Sequence, residues 1–229
     1  MNSSSTKFRI GETQLQNPIV VASCPATEDF ERLMRCADAG AAAAILKSCH
    51  TSGSFPKGIG NRRFLGSERG LWGTSTVARE LLHADKMCSI LDDIRKRTDF
   101  TVIPSVAGFS LETSDWLDTL HLLEQYHPAC VQLDLFYLDE DLSLPNTQSR
   151  LRSLIINLRR ECGLKLLPKL NQELRPGAAV KLFENTEIAG LSLLDSLRGH
   201  LPMNSLLHKS DFPGFIFAEG LDSASLFGP

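Results

Sequence analysis

No apolar run in this 229-residue chain approaches the roughly 18 residues that a membrane span requires, so no membrane helix is expected. The first residues, Met1-Asn2-Ser3-Ser4-Ser5-Thr6-Lys7, lack the apolar core of a signal peptide and read as a frayed tail. Basic excess is missing too. The 24 Lys+Arg stand against 27 Asp+Glu, a formal charge of −3, so no nucleic-acid partner is expected. The six cysteines (Cys24, Cys36, Cys49, Cys88, Cys130 and Cys162) contain no Cys-x-x-Cys pair and no zinc spacing. A chain this long needs no disulfide framework, so reduced thiols in a cytoplasmic protein are expected. Tryptophan and tyrosine are scarce, two of each, so each can be weighed singly.

What is present is ordinary globular composition, 42% hydrophobic and 22% charged, which excludes disorder over the whole chain. Residues 1–14 read as tail and lead-in, and 15–229 as a single domain. Short apolar runs alternate with amphipathic stretches. Ile19–Ser23 reads as a buried strand, followed by a helix over Glu28–Ala39 capped by Thr27 and ended by Gly40. Ala43–Lys47 is a second strand. A long loop of about Ser48 to Thr76, rich in Gly, Ser and Arg, shows no periodicity, and loops of that length are functional or disordered. Helix over His83–Arg97, strand over Phe100–Val106 and helix over Thr113–Tyr126 follow. Then come strand Cys130–Leu135, helix Gln148–Cys162, strand Lys165–Leu170, a helix from about Gly177 to Asn185, and strands over Ile188–Leu194 and Phe215–Ala218.

Strict alternation with continuous apolar strands predicts a parallel sheet covered by helices. Two architectures fit, a (β/α)8 barrel and an open doubly wound sheet. No Gly-x-Gly-x-x-Gly follows the first strand, which weakens the dinucleotide-binding version. About seven strand–helix units favour an α/β barrel of the TIM type, incomplete by its last unit. The two open strand edges of such a barrel call for cover, from a homodimer partner, another chain or the N-terminal segment.

A barrel carries its chemistry at the C-terminal strand ends. Those ends hold Ser23-Cys24, Lys47-Ser48, Ala107-Gly108, Asp134–Asp139, Lys169 and Asp195-Ser196. Lys47 and Lys169, from nearly opposite sides of a ring, can converge on one anionic or electron-rich ligand. The plainer alternative is that each reaches solvent or pairs with a neighbouring Asp.

Several ordered segments carry a likeness. They are Leu15-Gln16-Asn17-Pro18-Ile19-Val20-Val21-Ala22-Ser23, Ala39-Gly40-Ala41, Lys47-Ser48 and Gly60-Asn61-Arg62-Arg63. Ile103-Pro104-Ser105-Val106-Ala107-Gly108 and Pro168-Lys169-Leu170 complete the set. From about residue 15 to about 196 the chain resembles the FMN-dependent dihydroorotate dehydrogenase family, its soluble class most of all. The resemblance implies a TIM barrel, bound FMN, a place in pyrimidine biosynthesis, and hydride transfer between flavin and a small cyclic or conjugated substrate. It implies that Ala22 and Ser23 lie against the flavin, that Lys47 and Ser48 contact flavin and substrate, and that Lys169 sits at the N1–C2 carbonyl edge. A fixed cation there favours the anionic reduced ring. Asp134, Leu194 and Gly220 fall at further cofactor positions, and Trp72, Asp139, Asp195 and Ser196 at substrate positions.

The departures are chemical. The position of the family's catalytic base falls on or near Tyr137, and a phenol, with a reference pKa near 10, is a poor base at neutral pH. Asparagines that grip the substrate carboxylate become Asp134, Asp139 and Asp195. An Asp cannot donate to a carboxylate and repels it, which argues against dihydroorotate as substrate. Only Ala218-Glu219-Gly220 remains of the phosphate-binding loops. Hence a second expectation stands beside the enzyme: a catalytically degenerate member of the family serving as a binding or regulatory module. Other constellations read plainly. Cys49-His50 is a loop position rather than a nucleophilic pair, the three Asp residues are a polar rim rather than a cation site, and Trp116 is core. Arg62, Arg63 and Arg69 are solvated, and Trp72 is at most a lid.

Overall fold

The computed structural model describes residues 8–51, 64–66, 72–74, 81–138, 140–170, 174, 176–193, 197–199 and 224–227. In chain order the first elements are β1 (Phe8–Ile10), β2 (Thr13–Leu15), β3 (Val20–Val21), α1 (Phe30–Asp38), β4 (Ala43–Ile45), β5 (Cys49–His50), β6 (Phe64–Gly66), β7 (Trp72–Thr74) and β8 (Leu82–His83). There follow α2 (Ala84–Arg97), β9 (Thr101–Ile103), β10 (Ser105–Ala107), α3 (Ser114–Glu124), β11 (Val131–Asp134), α4 (Pro145–Glu161), β12 (Leu166–Lys169), α5 (Pro176–Leu182), β13 (Leu197–Gly199) and β14 (Ala224–Phe227). The chain divides into two compact units, Met1–Gly53 with Leu81–Leu193, and Ser54–Glu80 with Leu194–Pro229.

The first unit is the α/β part. Its strands pair in parallel: β3 with β4, β4 with β9, β10 with β11, and β11 with β12. β9 and β10 are one run interrupted at Pro104, whose carbonyl accepts the Gln132 N–H at 2.8 Å. Within β3-β4-β9 and β10-β11-β12 each strand lies beside the one before it in that order. At the top of the second strand β5 also pairs in parallel with β10 and β8.

Side-chain alternation gives this sheet two faces. On one face Ala44, Val102, Val131, Leu133 and Leu166 pack against Leu33 of α1, Ile90 of α2, Leu120 and Leu123 of α3, and Leu154 and Leu158 of α4. The opposite face begins with Ile45, Ile103, Cys130 and Leu167, joined by Ile10, Val20 and Ala189. A β1–β2 hairpin underlies it, its two-residue turn made possible by Gly11 at φ 55°. Phe8 and Ile10 of that hairpin pack against Ala42, Ala43 and Leu15. The lead-in residues thus close the apolar end of the second face.

Three local expectations need correction. Thr27 does not cap the first helix. It lies in a 3-10 turn, Pro25–Thr27, and its hydroxyl donates to the Cys24 carbonyl at 3.0 Å. Asp29 takes the capping role, accepting the Arg32 N–H at 2.8 Å, because it stands one residue before the first helical position with an extended backbone. Of the strand expected over Ile188–Leu194, the described residues 188–193 form no full strand. They meet β12 in a single parallel bridge, Lys169 with Ser192, and exchange hydrogen bonds with Leu166, Pro168 and Leu170. The stretch read as a loop from Ser48 contains β5, β6 and β7. The strand expected over Phe215–Ala218 lies outside the described residues.

The second unit holds an antiparallel sheet of order β13-β14-β7-β6. Trp72, offered as a lid, is a β7 residue whose backbone stands opposite Gly66 and Phe227. No described helix is long and apolar enough to cross a membrane.

Candidate functional site

Following each strand of the first unit toward its C-terminus along the second face, the side chains change from apolar to polar. Ile103 is succeeded two residues later by Ser105, Cys130 by Gln132 and then Asp134, and Leu167 by Lys169. Period two places these on one face, and register sets Asp134 directly beside Lys169 and Ser105 beside Gln132. All are buried, Asp134 at 3% exposure and Lys169 at 7%. Lys47 and Ser48, in the segment that joins β4 to β5, are buried as well.

Hydrogen bonding in this cluster has one direction. The Gln132 Nε2 amide donates to Ser105 Oγ at 2.9 Å. Ser48 gives its only hydroxyl proton to Asp134 Oδ2 at 2.7 Å. Ser105 and Ser48 lie 2.9 Å apart, and since the proton of Ser48 is committed, Ser105 donates to Ser48. Ser23 Oγ reaches Ser48 Oγ at 3.5 Å. Lys169 Nζ stands 3.8 Å from Asp134 Oδ2, and the other carboxylate oxygen accepts the Phe136 N–H at 3.3 Å. A buried carboxylate thus collects a hydroxyl, a backbone amide and an ammonium, as burial of a charge demands.

Above Asp134 the chain turns through the 3-10 helix Leu135–Tyr137. Tyr137 is half-buried, its ring edge-on to Phe136 and to Phe109 with centroids 5.5 Å and 6.4 Å away. Phe109 also meets His50 at 4.9 Å. His50 is buried, with Nε2 3.1 Å from the Asp115 carbonyl and 3.2 Å from Asp115 Oδ1. A carbonyl only accepts, so Nε2 carries the proton. The remaining oxygen of Asp115 accepts the Phe109 and Ser110 amides at 2.6 Å and 2.8 Å, which fixes the loop after β10.

The structure brings Ser23, Ser48, Asp134 and Lys169 together by direct contact, with Lys47 buried next to Ser48 in the chain. Ala22 is exposed. Asp139, Leu194, Asp195, Ser196 and Gly220 lie outside the described residues, as do Arg62, Arg63 and Arg69. Cys49 and His50 do not form a loop, as expected, but strand β5, which sends neighbouring side chains to opposite faces. Burial pushes the Cys49 thiol far up, and its sulfur rests 3.4 Å from Met87 Sδ against α2. That removes Cys49 as a thiolate nucleophile. Among the described residues no group of three or more His, Cys, Asp or Glu is arranged to hold a metal ion. Ser105, Gln132 and the His50–Asp115 pair were not read from the sequence. For the first two the signal was present, as polar residues at alternate positions in apolar runs. For the pair it was not, since the partners lie 65 residues apart.

The fit to a flavin is a matter of charge and donors. Two buried ammonium groups, Lys47 and Lys169, suit an electron-rich heterocycle edged with acceptors. Asp134 lowers the sum of Lys47, Lys169 and itself to a single positive charge, still of the sign an anionic reduced ring requires. In sign of charge the residues present suit the ring of FMN. Comparison with known proteins finds no family model that matches the chain and no match among curated proteins.

Proposed function

We propose that this protein is an FMN-dependent oxidoreductase of the dihydroorotate dehydrogenase kind, built on a TIM-type barrel. The observation that carries the reading is the buried Lys169–Asp134–Ser48 cluster at the C-terminal ends of parallel strands, with buried Lys47 alongside. The runs β3-β4-β9 and β10-β11-β12, which follow chain order, support a barrel over a doubly wound sheet, while β8, paired on the outer side of β5, departs from that order. FMN, when bound, would supply hydride acceptance at N5. Lys169 would hold the electron-rich edge of the ring, and Lys47 with Ser48 and Ser23 would orient ring and substrate. Tyr137 is the residue offered for proton transfer. A homodimer partner or another chain would cover the β3 edge, whose described pairing is with β4 alone. A strictly monomeric species in sedimentation at micromolar concentration would count against such cover.

The experiment is direct. Purified protein is expected to be yellow and to release FMN on denaturation, or to quench FMN fluorescence and gain thermal stability on titration. Lys169→Ala is expected to weaken flavin affinity or slow reduction. Colourless protein indifferent to FMN would favour the second reading, a degenerate member acting as a binding module. The packing of Tyr137 between Phe109 and Phe136 favours that second reading, because a ring held edge-on by two phenyls is a structural wedge as readily as a proton carrier.

A further inference from the structure

We propose that Asp115 is a positioning residue for Tyr137, and that the ring N–H of His50 keeps its carboxylate aimed. The inference rests on the reading that Tyr137 moves a proton at the strand ends, and goes beyond it by naming what holds that ring in place. Asp115 lies in the first turn of α3 and takes donors from two other segments. Its Oδ2 accepts the Phe109 N–H at 2.6 Å and the Ser110 N–H at 2.8 Å, and its Oδ1 lies 3.2 Å from His50 Nε2. The Asp115 carbonyl lies 3.1 Å from the same nitrogen, so one imidazole N–H is shared between two oxygens of a single residue. The bonds to the carboxylate are charge-assisted, the stronger kind.

Phe109 carries this anchoring onward. Its backbone is tied to Asp115, while its ring meets His50 at 4.9 Å and Tyr137 at 6.4 Å, the latter edge to face at 81°. A shift of the Phe109 backbone therefore moves the ring against which Tyr137 packs. Trp116 grips the same loop through the Ser110 carbonyl at 2.9 Å. It cannot replace the carboxylate, because the indole is only a donor and the two amides of the loop need an acceptor. The segments bearing His50 and Tyr137 are also joined where Ser48 donates to Asp134 at 2.7 Å. The Asp115 anchor thus orients the ring that follows the buried polar cluster in the chain.

The chain has two tyrosines, so 3-fluorotyrosine incorporated into the full chain gives two fluorine resonances, assigned by Tyr126→Phe. Tyr126 follows the C-terminal end of α3 and serves as the internal control for folding. In Asp115→Asn the side-chain amide cannot face both the loop amides and the His50 N–H with acceptors. The Tyr137 resonance is expected to narrow and move toward that of the free amino acid, while the Tyr126 resonance stays within its linewidth. His50→Leu is expected to do the same, and His50→Gln, which still offers an N–H, to restore the wild-type spectrum. Should Asp115→Asn fail to fold, the two His50 variants carry the comparison with Asp115 intact. An unmoved Tyr137 resonance, equal displacement of both tyrosines in a folded variant, or a His50→Gln spectrum like that of His50→Leu would each overturn the proposal. The measurement needs no FMN. A Tyr137 that answers to Asp115 in a protein that binds no FMN leaves the positioning role standing and sinks the flavoprotein. FMN binding with Tyr137 indifferent to Asp115 and His50 does the reverse.

Discussion

The Lys169–Asp134 pair sits where Coulomb attraction and desolvation nearly cancel. Both groups are buried, so each needs the other more than the fold needs the pair. Lys169→Met alone is expected to cost about 3–5 kcal/mol, because Asp134 then keeps an uncompensated buried charge. The double variant Lys169→Met/Asp134→Leu should recover most of that loss. Urea midpoints of the wild type, the two single variants and the double variant decide it. Additive losses would show that the charges do not interact in the folded state. A second residue-scale constraint is steric. A Cβ added to Gly108 would stand 2.2 Å from Trp116 Cε2, and Trp116 is fully buried, its indole N–H donating to the Ser110 carbonyl at 2.9 Å. Gly108→Ala therefore has to displace the indole or bend the strand end, at about 1–3 kcal/mol. A lowered thermal midpoint with red-shifted tryptophan emission is the expected outcome, and an unshifted midpoint would mean that the indole has room to move. The burial of Trp116 was legible from its place on a helix, but the need for glycine at 108 was not, because it depends on a contact eight residues onward that only packing creates.

At the scale of elements, sequence patterns worked where a local period met a local cap. Helix α2 begins and ends within a residue of expectation, since its buried positions Met87, Ile90, Leu91 and Ile94 repeat at helical spacing. The first helix shows the limit of that reasoning. Thr27 and Asp29 both have capping chemistry, and backbone geometry chose between them: Asp29 adopts extended φ/ψ and turns its carboxylate to the Arg32 amide. Asp29→Ala is accordingly expected to cost about 1 kcal/mol in a urea titration. No measurable loss would return the cap to another residue. The β1–β2 hairpin carries a readable signal in its sequence. Phe8, Ile10, Thr13 and Leu15 alternate around Gly11-Glu12, and the segment looked like a lead-in only because it precedes the first long apolar run. Its register delivers Ile10 to the sheet's apolar end. The four-stranded sheet as a whole had no such signal, because the pairing that joins β7 to β14 spans more than a hundred residues.

For the whole molecule the parallel order was foreseeable from alternation alone, while the chemistry of its buried thiols was not. All six cysteines are free, and burial raises the pKa of Cys36, Cys49, Cys88, Cys130 and Cys162. For Cys130, packed with Ile45, Ile103 and Leu167, the folded value is pushed up to about 12 from an ordinary 9.0. The sign follows from which state releases its proton first. Below about pH 9 both the folded and the unfolded chain keep the thiol protons, and the thiols add no pH dependence. Above it the unfolded chain ionises while the folded one does not, so stability falls as pH climbs toward the folded value. Tyr126, also held up to about 12, first by burial and then by Cys88, acts in the same sense from its ordinary 10.0. The urea midpoint is therefore expected to stay level near neutrality and to decline steadily from about pH 9 toward 11. Cys130→Ala should flatten part of that decline, at the cost of a lower midpoint throughout from the small cavity it leaves. A midpoint independent of pH over the same range would mean that the strand cores admit enough water to ionise Cys130 in place. The interlayer of Ile45, Ile103 and Leu167 could then not be the closed apolar floor on which the polar strand ends stand.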